Sequence, residues 1–332
     1  MAVLSVATYE GGFEMTKRPA PPLLALPAQF LAEGSSLSTA TVIAFTEGPA
    51  VDADGSVYFS DIWNNRIMKL AADGSQSVFR ADSGRTNGNT FDQLGRLLSC
   101  EGAEMGPGGR RRVVRTDLKT GEVTVLTDRY EGVRYNSPND VVVDGRGRIY
   151  FTDPCYGDRS LMEMEMEGVY RIDPDGSVTR ILQQPDIQRP NGIAITPNDR
   201  TLYLVDSNPN AGGNRKIWAF DLATNGSVSN QRLVYDFSPS RGGDGMRLDV
   251  EGNLWIAAGV NRARREGETT AHPAGVYGIS PAGKLLGCIP VPEDLITNLA
   301  FGGQDKKTLY ITAGKSLFKI QTKVAGWSVS PK

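Results

Sequence analysis

The chain repeats one short pattern six times along its length. In each copy a polar residue opens an apolar run, a glycine-centred turn follows, and an aromatic-rich segment completes the unit, as in EGPAVDADGSVYFSD and NDVVVDGRGRIYFTD. We call these polar residues the openers; they are Glu47, Asn87, Asn139, Asn191, Asp244 and Asn298. Repeats of roughly 40–50 residues built from short strands are typical of β-propellers, whose blades surround one central axis.

Each copy continues with two more strand-like segments joined by a second turn, such as GVYRI and SVTRIL around DPDG. The sequence therefore predicts an all-β, six-bladed β-propeller with four antiparallel strands per blade. The first strands, such as VVVD and IAIT, are more uniformly apolar than the others. We expect them to pack around the axis, with the outer strands partly solvated.

The sixth copy is too short to supply four strands, because the chain ends within a dozen residues of its third one. The β-prone segment 38–45, STATVIAF, precedes the first copy and has no other partner in the pattern. We expect it to pair with the last blade and close the ring, which removes two exposed sheet edges. Residues 1–37 are then an N-terminal arm, and residues 38–332 form a single domain.

Composition limits the classes of partner. A net charge of −2 over 332 residues gives no electrostatic argument for nucleic acid. No apolar stretch reaches the ~18 residues of a membrane span, and no signal peptide is evident, so a cytoplasmic location is expected. The three cysteines are widely spaced and form no CxxC pattern, which favours buried free thiols over a disulfide framework or zinc site.

The openers carry the chemistry that the sequence suggests. Equivalent positions of a radial repeat converge on the axis, and each opener has a side-chain oxygen. Calcium prefers six to eight such oxygen ligands. The set of Glu47, Asn139, Asn191 and Asp244 would supply four oxygens and two negative charges, and two buried carboxylates without a cation would repel each other. We therefore predict a Ca²⁺ site on these four residues.

Other polar residues are assigned more modest roles. Asn87 and Asn298 are channel residues that either cap the inner strands or contact a ligand. His272 is the only histidine, so a His-rich zinc site is excluded, and it is interpreted as a loop residue. A repeated acid ends the second strand in three copies and is interpreted as structural; these acids are Asp61, Asp153 and Asp206.

Four segments in order resemble the metal-site segments of the senescence marker protein/gluconolactonase/luciferin-regenerating enzyme family: FTEGPAVDADGSVYFSD, YNSPNDVVVDGRGRIYFTDP, RPNGIAITP and GGDGMRLDVEGNLWIA. The resemblance extends from about Phe45 to Ile320 and is closest to bacterial gluconolactonases. It implies a six-bladed propeller that hydrolyses sugar lactones with a divalent metal. It also implies that Asp244 is the general base and that Asn139 contacts both substrate and metal.

The resulting hypothesis is a calcium-dependent lactonase acting on a small-molecule lactone. Asn87, Arg134 and Tyr135 are further candidates for binding sugar hydroxyls. Two alternatives stay open at this point: a phosphotriesterase that uses the same metal site, and a non-catalytic propeller that binds a partner and holds calcium for structure alone. The oligomeric state is not predicted.

Overall fold

The computed structural model describes residues 30–103 and 109–329. In these ranges the chain forms twenty-six β-strands and a single 3-10 turn at Arg159–Leu161, with no α-helix. No helix in this part of the chain is long and apolar enough to cross a membrane.

The strands form six antiparallel sheets of four, which are the blades, and one small hairpin. Strand β1 covers Ser38–Val42. Blade 1 contains β2 (Thr46–Val51), β3 (Val57–Asp61), β4 (Arg66–Leu70) and β5 (Gln76–Ala81). Blade 2 contains β6 (Thr86–Phe91), β7 (Leu97–Glu101), β8 (Arg112–Thr116) and β9 (Val123–Thr127). The hairpin pairs β10 (Arg129–Tyr130) with β11 (Val133–Arg134).

The remaining four blades repeat this arrangement. Blade 3 contains β12 (Val141–Val143), β13 (Ile149–Asp153), β14 (Gly168–Ile172) and β15 (Val178–Gln183). Blade 4 contains β16 (Pro190–Ile195), β17 (Thr201–Ser207), β18 (Arg215–Leu222) and β19 (Val228–Asp236). Blade 5 contains β20 (Gly243–Leu248), β21 (Leu254–Ala258), β22 (Gly275–Ile279) and β23 (Leu285–Pro290). Blade 6 contains β24 (Ile296–Gly302), β25 (Thr308–Ala313), β26 (Ser316–Gln321) and, from the other end of the chain, β1.

The first strand of each blade lies innermost. These strands contact one another in the order β2, β6, β12, β16, β20 and β24, and β24 in turn contacts β2. The predicted six-bladed propeller with four antiparallel strands per blade is therefore confirmed.

Aspartates fix the turns between the first and second strands. Asp52 Oδ1 accepts hydrogen bonds from the backbone N–H groups of Asp54 (2.9 Å) and Ser56 (2.8 Å). Gly55 takes a φ of 84°, a conformation that L side chains rarely adopt. Asp92, Asp144 and Asp249 make the same pair of bonds in other blades. These acids have the structural role that their turn motif predicts. All three cysteines are free and buried, as expected.

Strand β1 pairs antiparallel with β26, from Ser38 opposite Lys319 to Val42 opposite Ser316. Just before it, Phe30 packs edge-to-face on Trp255 of blade 5 at 6.2 Å between ring centroids. That this pairing holds the ring closed stays a prediction, as does the division between arm and domain at residue 37. Residues 1–29 of the arm lie outside the described part of the chain.

Two shortened chains test the closure. One begins at residue 30, and the other begins at residue 43 and lacks both β1 and Phe30. We expect the second chain to unfold roughly 5–10 °C lower, because it loses apolar contacts and leaves β26 as an unpaired edge. Differential scanning calorimetry measures the two midpoints, and equal midpoints would show that β1 does not close the ring.

Candidate functional site

The openers stand at the start of the inner strands, at one end of the channel. Four of them occupy the second position of β2, β6, β16 and β20, and Asn139 lies two positions before β12. Their side chains are largely shielded from solvent: the exposed fraction is 3% for Glu47, 8% for Asn87 and 5% for Asn191. Asp244 is slightly more open, with 13% of its side chain exposed.

The repeated acids hold the backbone just before the openers. Asp153 accepts hydrogen bonds from the backbone N–H groups of Asn136 (2.8 Å) and Ser137 (2.7 Å), immediately before Asn139. Asp206 does the same for Arg189 (2.7 Å), two residues before Asn191. Both acids are completely buried. Their interpretation as structural residues is consistent with these contacts, and their effect is to fix where the inner strands begin.

Glycine after an opener allows neighbouring inner strands to approach closely. A Cβ atom at Gly48 would lie 2.3 Å from the carbonyl oxygen of Asn87, and one at Gly192 would lie 2.3 Å from that of Asp244. Such distances are far inside van der Waals contact, so a side chain cannot be accommodated without moving backbone. The openers of adjacent blades are thereby brought together around the axis.

Three carboxylates influence one another at this end. Burial raises the pKa of Glu47 well above its ordinary value, and the negative charges of Asp244 and Asp140 raise it further. Burial also raises the pKa of Asp244 to about 6, against the opposing effect of Arg241. Crowding of negative charge in a buried place is costly unless a cation compensates it.

Asp140 is a member of this group that the sequence pattern did not reveal. It is completely buried, its Oδ1 accepts the backbone N–H of Val141 at 3.0 Å, and Arg247 Nη1 donates to its Oδ2 at 3.3 Å. The signal was present in the repeats, because the residue after the opener is glycine in four copies and aspartate here. On the neighbouring strand, a Cβ at Gly88 would lie 2.8 Å from Asp140 Oδ1.

Asn298 adopts the local geometry of Asp140 rather than that of Asn139. Its backbone N–H donates to Thr312 Oγ1 at 3.1 Å and its Oδ1 accepts the next N–H at 2.9 Å. Its Nδ2 donates to Glu47 Oε2 at 3.3 Å. Asn298 therefore holds the carboxylate of Glu47 by a hydrogen bond, and this contact defines the position of the Asn298 side chain.

A guanidinium group lies against Asp244. Arg241 Nη2 donates to Asp244 Oδ2, and its Nη1 donates to the backbone oxygen of Ile296 at 2.8 Å. Asn191 also hydrogen-bonds Asp244, which lowers the pKa of that acid. The Asp244 carboxylate is therefore held in place from two sides.

The residues present fit a hard divalent cation. The donors at this end are carboxylate and amide oxygens, and Asn87 Oδ1 is buried without a hydrogen-bond partner. Within residues 30–103 and 109–329, no three His, Cys, Asp or Glu side chains come together as a metal-binding group. A site here therefore depends on amide oxygens as well as on the two carboxylates of Glu47 and Asp244, a mixture that calcium accepts.

Tyr135 lies in the core, and its predicted sugar contact stays a prediction. Its ring is completely buried against Phe151 and Tyr170, and its hydroxyl group is paired with Thr127 Oγ1 at 2.8 Å. From sequence alone, a tyrosine beside a predicted ligand segment can be interpreted as a ligand contact. In the structure this tyrosine packs in the core. Arg134 remains on the surface in β11, 3.5 Å from Glu163, and its substrate contact stays a prediction.

His272 lies in an aromatic cluster between blades 4 and 5. Its Nε2 is 3.2 Å from the hydroxyl oxygen of Tyr235, and its ring packs edge-to-face on Phe237 and Tyr277. Burial lowers its pKa below the ordinary value. These contacts support the interpretation of His272 as a loop residue.

The His272 environment has a consequence for stability. The folded chain favours the neutral ring, whereas the unfolded chain takes up a proton near pH 6.5. The stabilisation of the folded chain by the neutral His272 ring is therefore fully present above about pH 6.5. It is lost as the pH falls through the lower pKa of the folded state. Urea unfolding at pH 7.5 and 5.5 should show a smaller loss of stability in a His272→Gln variant than in the native chain. An equal loss in both would contradict this account.

A large cavity lies at the other end of the channel. It has a volume of about 910 Å³ and is lined by the later residues of the inner strands, including Ala50, Val142 and Ala194, and by Trp327 near the C-terminus. A large pocket is the usual first candidate for a binding site. Here the convergent carboxylates and amides of the openers lie at the opposite end of the channel.

Comparison with known proteins decides the family. The family model described as SMP-30/Gluconolactonase/LRE-like region matches residues 45–315. The chain belongs to this family. The gluconolactonase of Zymomonas mobilis is 32% identical over 309 residues, which are 86% of this chain and 81% of that protein.

Two further family members extend the comparison. The solved structure of a gluconolactonase from Xanthomonas campestris aligns with a TM-score of 0.74 and 31% identity, covering 92% of this chain and 99% of that one. The regucalcin of Danio rerio is 32% identical over 183 residues, which are 53% of this chain and 53% of that protein.

Proposed function

We propose that the chain is a calcium-dependent hydrolase of sugar lactones. The observation that carries the proposal is the convergence of Glu47, which is buried, and Asp244, whose side chain is 13% exposed, beside amide side chains at one end of the channel; both carboxyl groups have raised pKa values. The similarity to gluconolactonases over most of the chain supports the same reaction class, and the similarity to regucalcin supports calcium.

Glu47, Asn139, Asn191 and Asp244 would hold the ion, with Asn87 Oδ1 as a further oxygen at the same end. A bound calcium ion supplies a Lewis acid for the lactone carbonyl and positive charge for the oxyanion that develops there. Asp244 accepts a proton from the attacking water. The pKa of Asp244 is about 6 in the metal-free chain, and a bound divalent cation would lower it, so Asp244 would be ionised at neutral pH and act as a weak base. A reactive lactone tolerates a weak base.

The surrounding residues orient this base. Arg241 donates to Asp244 Oδ2 and holds the carboxylate in place. Asn298 donates to Glu47 and limits its rotation. Asn87, Asn139 and Arg134 are the candidates for contacts with the sugar hydroxyls. The ring-opened product is an acid, so each turnover releases a proton that a pH-stat records.

A substrate panel tests the proposal. Sugar lactones and phosphotriesters are supplied to the chain with calcium and again after EDTA treatment, and the rate of the same substrate in buffer is subtracted. We expect turnover of sugar lactones that EDTA removes and calcium restores. Turnover confined to phosphotriesters would indicate the alternative hydrolase. A loss of thermal stability in EDTA with no turnover of any substrate would indicate a binding module with structural calcium.

A further inference from the structure

We propose that Tyr156 is a positioning residue that fixes the orientation of the Asn191 side-chain amide, so that the amide oxygen faces the metal-binding end of the channel. The inference rests on the proposed function, because it assigns a supporting role for the same metal site. Tyr156 lies in the loop after β13 of blade 3, whereas Asn191 belongs to β16 of blade 4. The contact therefore links two blades.

The hydrogen bonds around Tyr156 have a defined direction. Asn191 Nδ2 donates to the Tyr156 hydroxyl oxygen at 2.9 Å, and that hydroxyl group donates to the backbone oxygen of Ser207 at 3.2 Å. A hydroxyl group has one hydrogen, and a carbonyl oxygen can only accept it. Toward Asn191 the tyrosine oxygen must therefore act as an acceptor. Only the NH₂ end of the amide can satisfy it.

The neighbouring carboxylate of Asp244 favours the same orientation of the amide. Asn191 hydrogen-bonds the carboxylate of Asp244, which likewise can only accept when ionised. Both partners of Asn191 thus select the same end of the amide. Its Oδ1 is left as the end available to a cation, and oxygen is the donor atom that calcium requires.

Tyr156 is itself held in place. The guanidinium carbon of Arg189 lies 5.4 Å from the centroid of its ring, and Arg189 is 6% exposed. The Arg189 backbone N–H is fixed by Asp206, and Ser207 is the last residue of β17. The hydroxyl group is therefore attached to the rigid frame of blade 4, which is what an orienting group needs.

The test is a comparison of calcium affinities by isothermal titration calorimetry. Tyr156→Phe keeps the ring and removes the hydroxyl group. We expect its calcium dissociation constant to rise about tenfold, the scale on which loss of a ligand-orienting group acts, with the melting temperature of the metal-free chain unchanged. Tyr310→Phe, a tyrosine of blade 6 outside the site, is the matched control and should retain the native affinity.

A second background separates orientation from packing. In Asn191→Asp both ends of the side chain are oxygen, so there is no amide to orient. There we expect Tyr156→Phe to change the dissociation constant by less than about threefold. An equal effect in both backgrounds, or no effect in the native background, overturns the inference. If Asn191→Asp binds no calcium, the effect of Tyr156→Phe in the native background alone decides whether Tyr156 orients Asn191. If the native chain binds no calcium, the proposed metal site itself is overturned.

Discussion

Replacing Asp244 by asparagine is expected to lower the kcat for lactone hydrolysis by about 10²–10⁴-fold, the usual contribution of a general base. The amide retains an oxygen that can bind a cation, so calcium binding should weaken but persist. Asp244→Ala removes base and ligand together, and we expect it to abolish both metal retention and hydrolysis. Steady-state kinetics at saturating calcium, paired with calorimetric metal titration, measures the two effects separately.

The pair of variants is informative because the same residue has two proposed roles. Arg241→Met is the control variant, because it removes the hydrogen bond from Arg241 to Asp244 and keeps the Asp244 carboxylate. Full activity in Asp244→Ala would contradict the mechanism. A kcat in Asp244→Asn equal to that of the native chain at full metal occupancy would remove Asp244 as the base while leaving the metal site intact.

Replacing Glu47 by glutamine is expected to have opposite effects on the metal-free and calcium-saturated chains. The metal-free chain should become more stable, by roughly 1–3 kcal/mol, because a buried charge repelled by Asp244 and Asp140 is removed. The stabilisation that calcium adds should be largely lost, because a negatively charged ligand is missing. Urea unfolding with EDTA and with calcium gives both free energies.

The matched control is Glu163→Gln, in which the replaced carboxylate is 44% exposed and lies outside the channel. It should leave both free energies close to those of the native chain. If Glu47→Gln destabilised the metal-free chain, Glu47 would be a structural residue whose charge the fold already compensates, and the metal site would lose its principal ligand.

The propeller could be predicted because the same sequence pattern of strands and turns occurs in six copies. Four copies have a turn aspartate, and the second and third strands alternate apolar and polar residues, so an ambiguity in one blade is resolved by the others. The openers were predictable for the same reason, since a radial repeat brings equivalent residues to one axis. Asp153 and Asp206 could also be interpreted as structural residues from their repeated position, and their hydrogen bonds to backbone N–H groups are consistent with that interpretation.

The residues that sequence reasoning missed are those that break the repeat. Asp140 stands where four other copies have glycine, and Arg241 and Tyr156 have no equivalent in the other copies that would mark them. Their roles depend on contacts between blades, which no single repeat encodes. Tyr135 stands next to a predicted ligand segment, and only its packing against Phe151 and Tyr170 shows that its ring lies in the core.

We expect hydrolysis to require one divalent ion at the openers. Calcium is added stepwise to the metal-free chain while a pH-stat follows hydrolysis of a gluconolactone and calorimetry follows binding. Activity should rise in proportion to bound calcium and reach its plateau at one ion per chain. Undiminished hydrolysis by the metal-free chain, or full calcium binding without hydrolysis, would contradict this expectation.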